Sequence, residues 1–69
     1  MMKNWQKVFS SEQVHKAELV KMVLQDFKLQ PVVLKKRDSV YNSFGYYEVL
    51  VAPDQVIKAI KIIEDDISL

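Results

Sequence analysis

The sequence predicts a small α+β domain of order β-α-β-β-α, in which two helices cover one face of an antiparallel sheet. Two segments carry apolar residues at helical spacing, and three shorter segments are rich in β-branched and aromatic residues. With 69 residues, the chain is expected to form a single domain over residues 1–69, because so short a chain supports one core. The hydrophobic fraction of 49% is typical of a folded chain.

The first predicted strand leads directly into the first predicted helix. Residues 4–9, NWQKVF, combine Trp, Val and Phe in a short run that two serines bound. Ser10 and Gln13 have the spacing of a capping box, which predicts a helix over about residues 11–28. Helical spacing predicts that the core-facing stripe of this helix consists of Ala17, Val20, Val23, Leu24 and Phe27.

Two more strands and a second helix follow. Pro31 stops a helix, and the β-branched run after it predicts a strand over residues 30–36, with a third strand over residues 46–52. Pro53 suits the first position of a helix, and Asp54 places a negative charge in its first turn. The core-facing stripe of this second helix is predicted to consist of Val56, Ala59, Ile60, Ile63 and Ile67.

This order of elements, with a helical crossover and a hairpin, is the ferredoxin-like plan with its fourth strand missing or vestigial. In the third strand, Tyr47, Val49 and Val51 are predicted to face the helices. The opposite face then keeps four large apolar side chains: Trp5, Phe9, Tyr46 and Leu50. Such side chains are either tolerated on a half-exposed sheet or buried by a second copy, a partner or a ligand. A homo-oligomer is favoured, because a cysteine-free chain of this size has few other sources of stability.

The connection between the second and third strands, residues 35–46, is both basic and aromatic. Its cations and rings are Lys35, Lys36, Arg37, Tyr41, Phe44 and Tyr46. Because it exceeds the usual hairpin loop of about 2–5 residues, we expect it to bind a protein partner or a small anionic ligand. The alternative is a longer hairpin whose lysines protect a sheet edge. Gly45 is expected at a turn or bulge with positive φ.

Residue types that catalysis and metal binding require are scarce. The chain has one His and no Cys, so we expect no metal site, no cofactor, no catalytic residue and no enzymatic activity. A net charge of +1 gives little attraction for nucleic acid, and Tyr47 and Glu48 break the stacking signature of RNA-recognition motifs. Weak RNA binding is a minor alternative. No apolar segment suits a signal peptide or a bilayer span, so a cytoplasmic location without membrane contact is expected.

Several segments together resemble a small bacterial domain family, described as prokaryotic signal-transducing proteins of otherwise unknown function. The similarity covers nearly the whole chain and rests on Trp5 with Val8, on KAELV at residues 16–20, and on VVLKKRDS at residues 32–39. The chain departs from the family at residues 26–29, where the family commonly places a glycine before its second strand.

That family is distantly similar to the PII proteins, which are ferredoxin-like trimers whose loop between strands two and three carries regulatory contacts. The resemblance implies a signal-transducing module in which Lys36, Arg37 and Tyr41 make contacts, with Tyr41 as a candidate modification site. The loop here is much shorter than in a PII protein, and the chain carries no recognisable nucleotide-binding motif of that family. The resemblance therefore implies regulation without specifying a ligand.

Overall fold

The computed structural model describes residues 4–37 and 45–67, with the backbone alone at residue 37. In chain order its elements are β1 (Gln6–Ser11), α1 (Val14–Asp26), β2 (Val32–Arg37), β3 (Gly45–Val51), a 3-10 turn (Pro53–Gln55) and α2 (Val56–Asp66). The predicted α+β class and the predicted order of elements are confirmed. The ends of the strands differ from the predicted ends by one or two residues.

The three strands form one antiparallel sheet of order β1-β3-β2, so that β3 is central. Both helices pack on the same face of this sheet, because one buried core joins residues of α1 and α2 to Val49 and Val51 of β3. The members of this core are Ala17, Val20, Leu24, Leu29, Val49, Val51, Ala59 and Ile62. Tyr47 packs against the core, which confirms that Tyr47, Val49 and Val51 face the helices.

β1 contains a β-bulge that changes which side chains face the helices. Lys7 pairs with Leu50 and Phe9 pairs with Val49, so Val8 lies between them without a paired residue of its own. Residues that pair across two strands point to the same side of the sheet. Phe9 therefore shares the helix-covered side with Val49, and it packs against the core. The prediction that Phe9 lies on the opposite face is wrong, because alternation along a strand is interrupted at a bulge.

α1 begins without the predicted capping box. Ser10 and Ser11 both belong to β1, and the residue before the helix is Gln13, which makes no side-chain cap. The backbone N–H of Gln13 donates instead to the hydroxyl oxygen of Ser11 at 3.0 Å. Ser10 is unsuited to cap the helix because it pairs with Glu48 inside the sheet.

α1 ends in a Schellman motif that has a lysine where glycine is usual. The Leu29 N–H donates to the Leu24 carbonyl at 3.1 Å, and the Lys28 N–H donates to the Gln25 carbonyl at 2.9 Å. Lys28 has a φ of 70°, in the left-handed region that favours glycine. Phe27 lies in this turn and is 40% exposed, so its predicted place in the core is wrong. Leu29 is buried in the core instead.

α2 buries a different flank of its apolar surface from the one predicted. Ile62 is only 5% exposed and Ile60 is 40% exposed, whereas the sequence pattern assigned Ile60 and not Ile62 to the core. Apolar residues surround more than half of this helix, so their spacing does not decide which flank packs. The rest of the predicted stripe is confirmed in or against the core: Val56, Ala59, Ile63 and Ile67.

Gly45 serves close packing and not a turn. It is the first residue of β3 and does not have a positive φ, so the predicted left-handed conformation is wrong. A Cβ at this position would lie 2.8 Å from the backbone carbonyl oxygen of Lys36, a separation that real side chains do not tolerate. The glycine therefore permits β2 and β3 to approach at the end of their ladder.

Candidate interaction site on the open sheet face

The sheet face opposite the helices, which we call the open face, is the best candidate for a binding surface. By the strand register, it consists of Lys7, Ser10, Val32, Leu34, Lys36, Tyr46, Glu48 and Leu50. On β3, Tyr46, Glu48 and Leu50 alternate with residues that face the helices, and their paired neighbours point the same way. Neither helix covers this side of the sheet.

The open face is apolar at its centre. Leu50 is only 8% exposed although no helix covers it, and Val32, Leu34 and Tyr46 are half-buried. The core cluster that the described residues form under the helices includes none of these four. Trp5 precedes β1, is half-buried and also lies outside that cluster. The register thus places Tyr46 and Leu50 on the predicted face, with Trp5 just before its first paired residue.

An acidic side chain lies in the middle of this apolar surface. The ammonium nitrogen of Lys7 is 3.8 Å from a carboxylate oxygen of Glu48, whose side chain is 12% exposed. Lys36 pairs with Tyr46, two residues before Glu48, and so occupies the diagonal position on the other side of β3. Lysine stems of this kind cover apolar surface while their charged ends stay in water. The open face thus carries one carboxylate between two lysines around its apolar centre.

The basic run at the end of β2 is divided between the two sides of the sheet. Lys35 pairs with Tyr47 on the helix-covered side, and Lys36 pairs with Tyr46 on the open side. Both lysines are exposed. Because successive strand residues point in opposite directions, these two cations do not converge on one ligand atom. Lys36 and Tyr46 form the part of the predicted loop that belongs to the open face.

The hairpin strands extend further than the predicted strand ends. The ladder continues to the pair formed by Arg37 and Gly45, so part of the predicted 35–46 loop is strand. This arrangement agrees with the alternative in which the lysines protect the edge of a longer hairpin. Tyr41 and Phe44 lie outside the described residues, as does the side chain of Arg37.

Four residues of the open face were not among the predicted interface residues: Lys7, Val32, Leu34 and Glu48. The apolar run of β2 indicated that both of its faces are apolar, but it did not show which residues face away from the helices. The bulge in β1 has no signal in the sequence, and it decides that Lys7 and not Phe9 belongs here. The pairing of β1 and β2 with β3 in the structure shows which of their residues face away from the helices.

The helical layer carries a second surface feature, a shallow depression of about 330 Å³ on α2. It is lined by Ile57, Ile60, Lys61, Glu64 and Asp65. The chain's histidine, His15, is exposed on α1. Among residues 4–37 and 45–67, no three His, Cys, Asp or Glu side chains are grouped so that they could hold a metal ion. In the same part of the chain, no helix has the length and apolarity to cross a membrane.

Comparison of the chain with protein-family models, with curated proteins and with solved structures gave no significant match. The resemblance to signal-transducing domains therefore stays a prediction. The open face, by its composition and burial, is the feature of the molecule that bears on function.

Proposed function

We propose that this chain is a non-enzymatic regulatory module of the signal-transducing kind, which self-associates through the open face. In this proposal the hairpin at residues 35–46 is presented to a protein partner or a small anionic ligand. The observation that supports it best is the apolar centre of the open face, where Leu50 is shielded although no helix covers it. The sheet order β1-β3-β2 is compatible with a ferredoxin-like arrangement, and PII-like regulation is part of the proposal.

Association through the open face would bury its apolar centre in a second sheet layer. Two sheets packed face to face lie about 10 Å apart and interdigitate their side chains. Each square ångström of apolar surface removed from water contributes about 25 cal/mol, so even part of this face stabilises a small domain appreciably. Burial of Glu48 costs the desolvation of its carboxylate, which Lys7 at 3.8 Å offsets in part.

The hairpin end stays accessible when the apolar centre is covered. Lys36 and Tyr46 lie in the row of the open face nearest the hairpin, while Leu50 and Val32 lie in a row four residue pairs further along the ladder. An exposed ammonium beside an aromatic ring suits an anion or an acidic peptide, because charged hydrogen bonds and cation–π contacts act together. Lys36 and Tyr46 would then lie at the edge of the dimer, where ligand binding would depend on whether the two copies are associated.

The open face is tested by a matched pair of lysine substitutions. Leu34→Lys places a charge on the half-buried open face, and Met22→Lys places the same charge on α1 where the side chain is 59% exposed. Light scattering at micromolar concentration and at about tenfold dilution should show a lower mass for L34K than for the unaltered chain, because burying an unpaired charge is costly. M22K should keep the original mass. Equal masses for L34K and M22K would contradict association through this face.

The hairpin is tested separately by reversing its charge. Lys36→Glu with Arg37→Glu should abolish any affinity for inorganic phosphate or for an acidic peptide, measured by titration calorimetry, because both donors become acceptors. Lys21→Glu, within α1, with Lys28→Glu, in the turn after it, changes the net charge equally and should leave binding unaltered. If neither probe binds the original chain, the structural alternative remains, in which the extended ladder and its lysines only protect a sheet edge.

A further inference from the structure

α2 exposes an apolar surface that the sheet does not use. Ile57 is 84% exposed and Ile60 is 40% exposed. Both line the depression of about 330 Å³, together with Lys61, Glu64 and Asp65. Ile57 is the most exposed of the large apolar side chains among the described residues. This surface lies in the helical layer, on the other side of the sheet from the open face.

The charges along α2 run against its own helix dipole. Lys58 and Lys61 lie in the first half, and Glu64, Asp65 and Asp66 lie at the end, so the first turn of α2 has no acid and the last turn no base. The nearest acid at the start is Asp54, in the 3-10 turn before the helix. A helix has partial positive charge at its N-terminus and partial negative charge at its C-terminus, which makes this distribution unfavourable for α2 alone. Within residues 45–67, no lysine nitrogen comes within 4.0 Å of these acids to form an ion pair.

We infer that α2 docks against α2 of a second copy of this chain, in antiparallel orientation about a two-fold axis near the middle of the helix. Reversal of one helix places the lysines of each copy beside the acids of the other. It also places the positive N-terminus of each helix beside the acidic end of its partner. The occupant is a second copy because the charges complement themselves when one helix is reversed: the lysines lie toward the start of α2, among the exposed isoleucines, and the acids lie toward its end.

The spacing along the helix fits this pairing. If the axis passes between residues 61 and 62, Lys58 is level with Asp65 of the other copy. Lys61 is then about 3 Å along the axis from Glu64 of the other copy, since each residue rises about 1.5 Å. Ile60 of each copy lies about 4.5 Å along the axis from Ile60 of the other and forms the apolar centre of the contact, whereas the two Ile57 side chains lie about 13 Å apart, toward its ends. Two-fold symmetry makes every contact twice. A parallel pairing would instead place lysine against lysine and acid against acid.

This contact is independent of the open face, because the two surfaces lie in different layers. Two distinct two-fold contacts on one chain build an assembly larger than a dimer. The proposal is therefore tested in the L34K variant, in which contact through the open face is removed. We expect L34K to remain a dimer at low ionic strength, held together through α2.

Charge reversal separates specific pairing from non-specific association. An acidic variant carries Lys58→Glu and Lys61→Glu, and a basic variant carries Glu64→Lys and Asp65→Lys, each added to L34K. All four positions are exposed, so folding should survive, as circular dichroism will show. Each variant alone should weaken dimerisation about ten- to a hundredfold, because several exposed ion pairs turn into repulsions at once. The control, Lys21→Glu with Lys28→Glu, should dimerise like L34K.

Mixing the two variants gives the decisive result. The acidic helix of one variant and the more basic helix of the other, which keeps only Asp66 as an acid, should form a heterodimer far more readily than either variant dimerises alone. Misfolding cannot produce this gain. A mixture that stays monomeric overturns the inference, as does an L34K protein that is already monomeric or a reversed variant that keeps the dimer mass. Failure of L34K to lower the mass of the original chain counts against the open face and not against α2.

Discussion

Replacement of Lys28 by glycine should stabilise the domain, contrary to the usual effect of glycine beside a helix. Lys28 has a φ of 70° in the Schellman motif that ends α1. The left-handed conformation costs an L-residue about 1–2 kcal/mol. Glycine removes this cost but adds about 0.5–1 kcal/mol of conformational entropy to the unfolded chain. Loss of a lysine near the helix C-terminus removes a few tenths of a kcal/mol more, roughly.

The net gain for Lys28→Gly is therefore about 0.5 kcal/mol, or about 2–4 °C in Tm for a domain of this size. The matched control is Lys21→Gly, the same change within the regular part of α1. It should lower stability by about 1 kcal/mol, because glycine disfavours a helix and gains nothing at negative φ. Urea unfolding followed by circular dichroism measures both. If Lys28→Gly were no more stable than Lys21→Gly, the left-handed geometry at Lys28 would be refuted.

Three further substitutions test the core, the hairpin and the open face. Leu24→Ala removes a side chain with 0% exposure and should lower the free energy of unfolding by about 2–5 kcal/mol. Circular dichroism should then show a largely unfolded domain. The control, Leu19→Ala at 41% exposure, should lower it much less. Gly45→Ala forces a methyl group to 2.8 Å from a carbonyl oxygen and should cost about 1–3 kcal/mol in urea unfolding; a neutral result would contradict the close approach of β2 and β3. Glu48→Gln should change stability by less than about 1 kcal/mol, because the Lys7 side chain is 53% exposed, and the difference should shrink at high salt.

Local patterns predicted most of the architecture. The class, the order of elements and the helix-facing residues of β3 follow from periodicity and from the positions of Pro31 and Pro53, because burial of apolar side chains is the dominant constraint on a small chain.

Features that depend on distant partners were not predictable. The partner strand decides the bulge beside Phe9, the length of β1 decides which serine approaches the start of α1, and packing decides which flank of α2 is buried. In each case the sequence offers two arrangements of similar local energy, and tertiary contacts select one. The candidate site was predicted in part for the same reason. The face on which Tyr46 and Leu50 lie follows from alternation within β3 alone, whereas the face on which Lys7 and Phe9 lie depends on how β1 pairs with β3.

The bulge at Val8 means that β1 holds one residue more than its partner strand needs. Without Val8, Lys7 and Phe9 would be consecutive and would still pair with the consecutive residues Leu50 and Val49 of β3. Lys7 would therefore stay on the open face and Phe9 on the helix-covered side, and the main loss would be the contact of Val8 with the core. A natural relative that is one residue shorter at this point should thus keep the same polar and apolar positions on both sides of the gap. The sheet can absorb a change of length here, and alignments of relatives should place a gap in β1 at this residue.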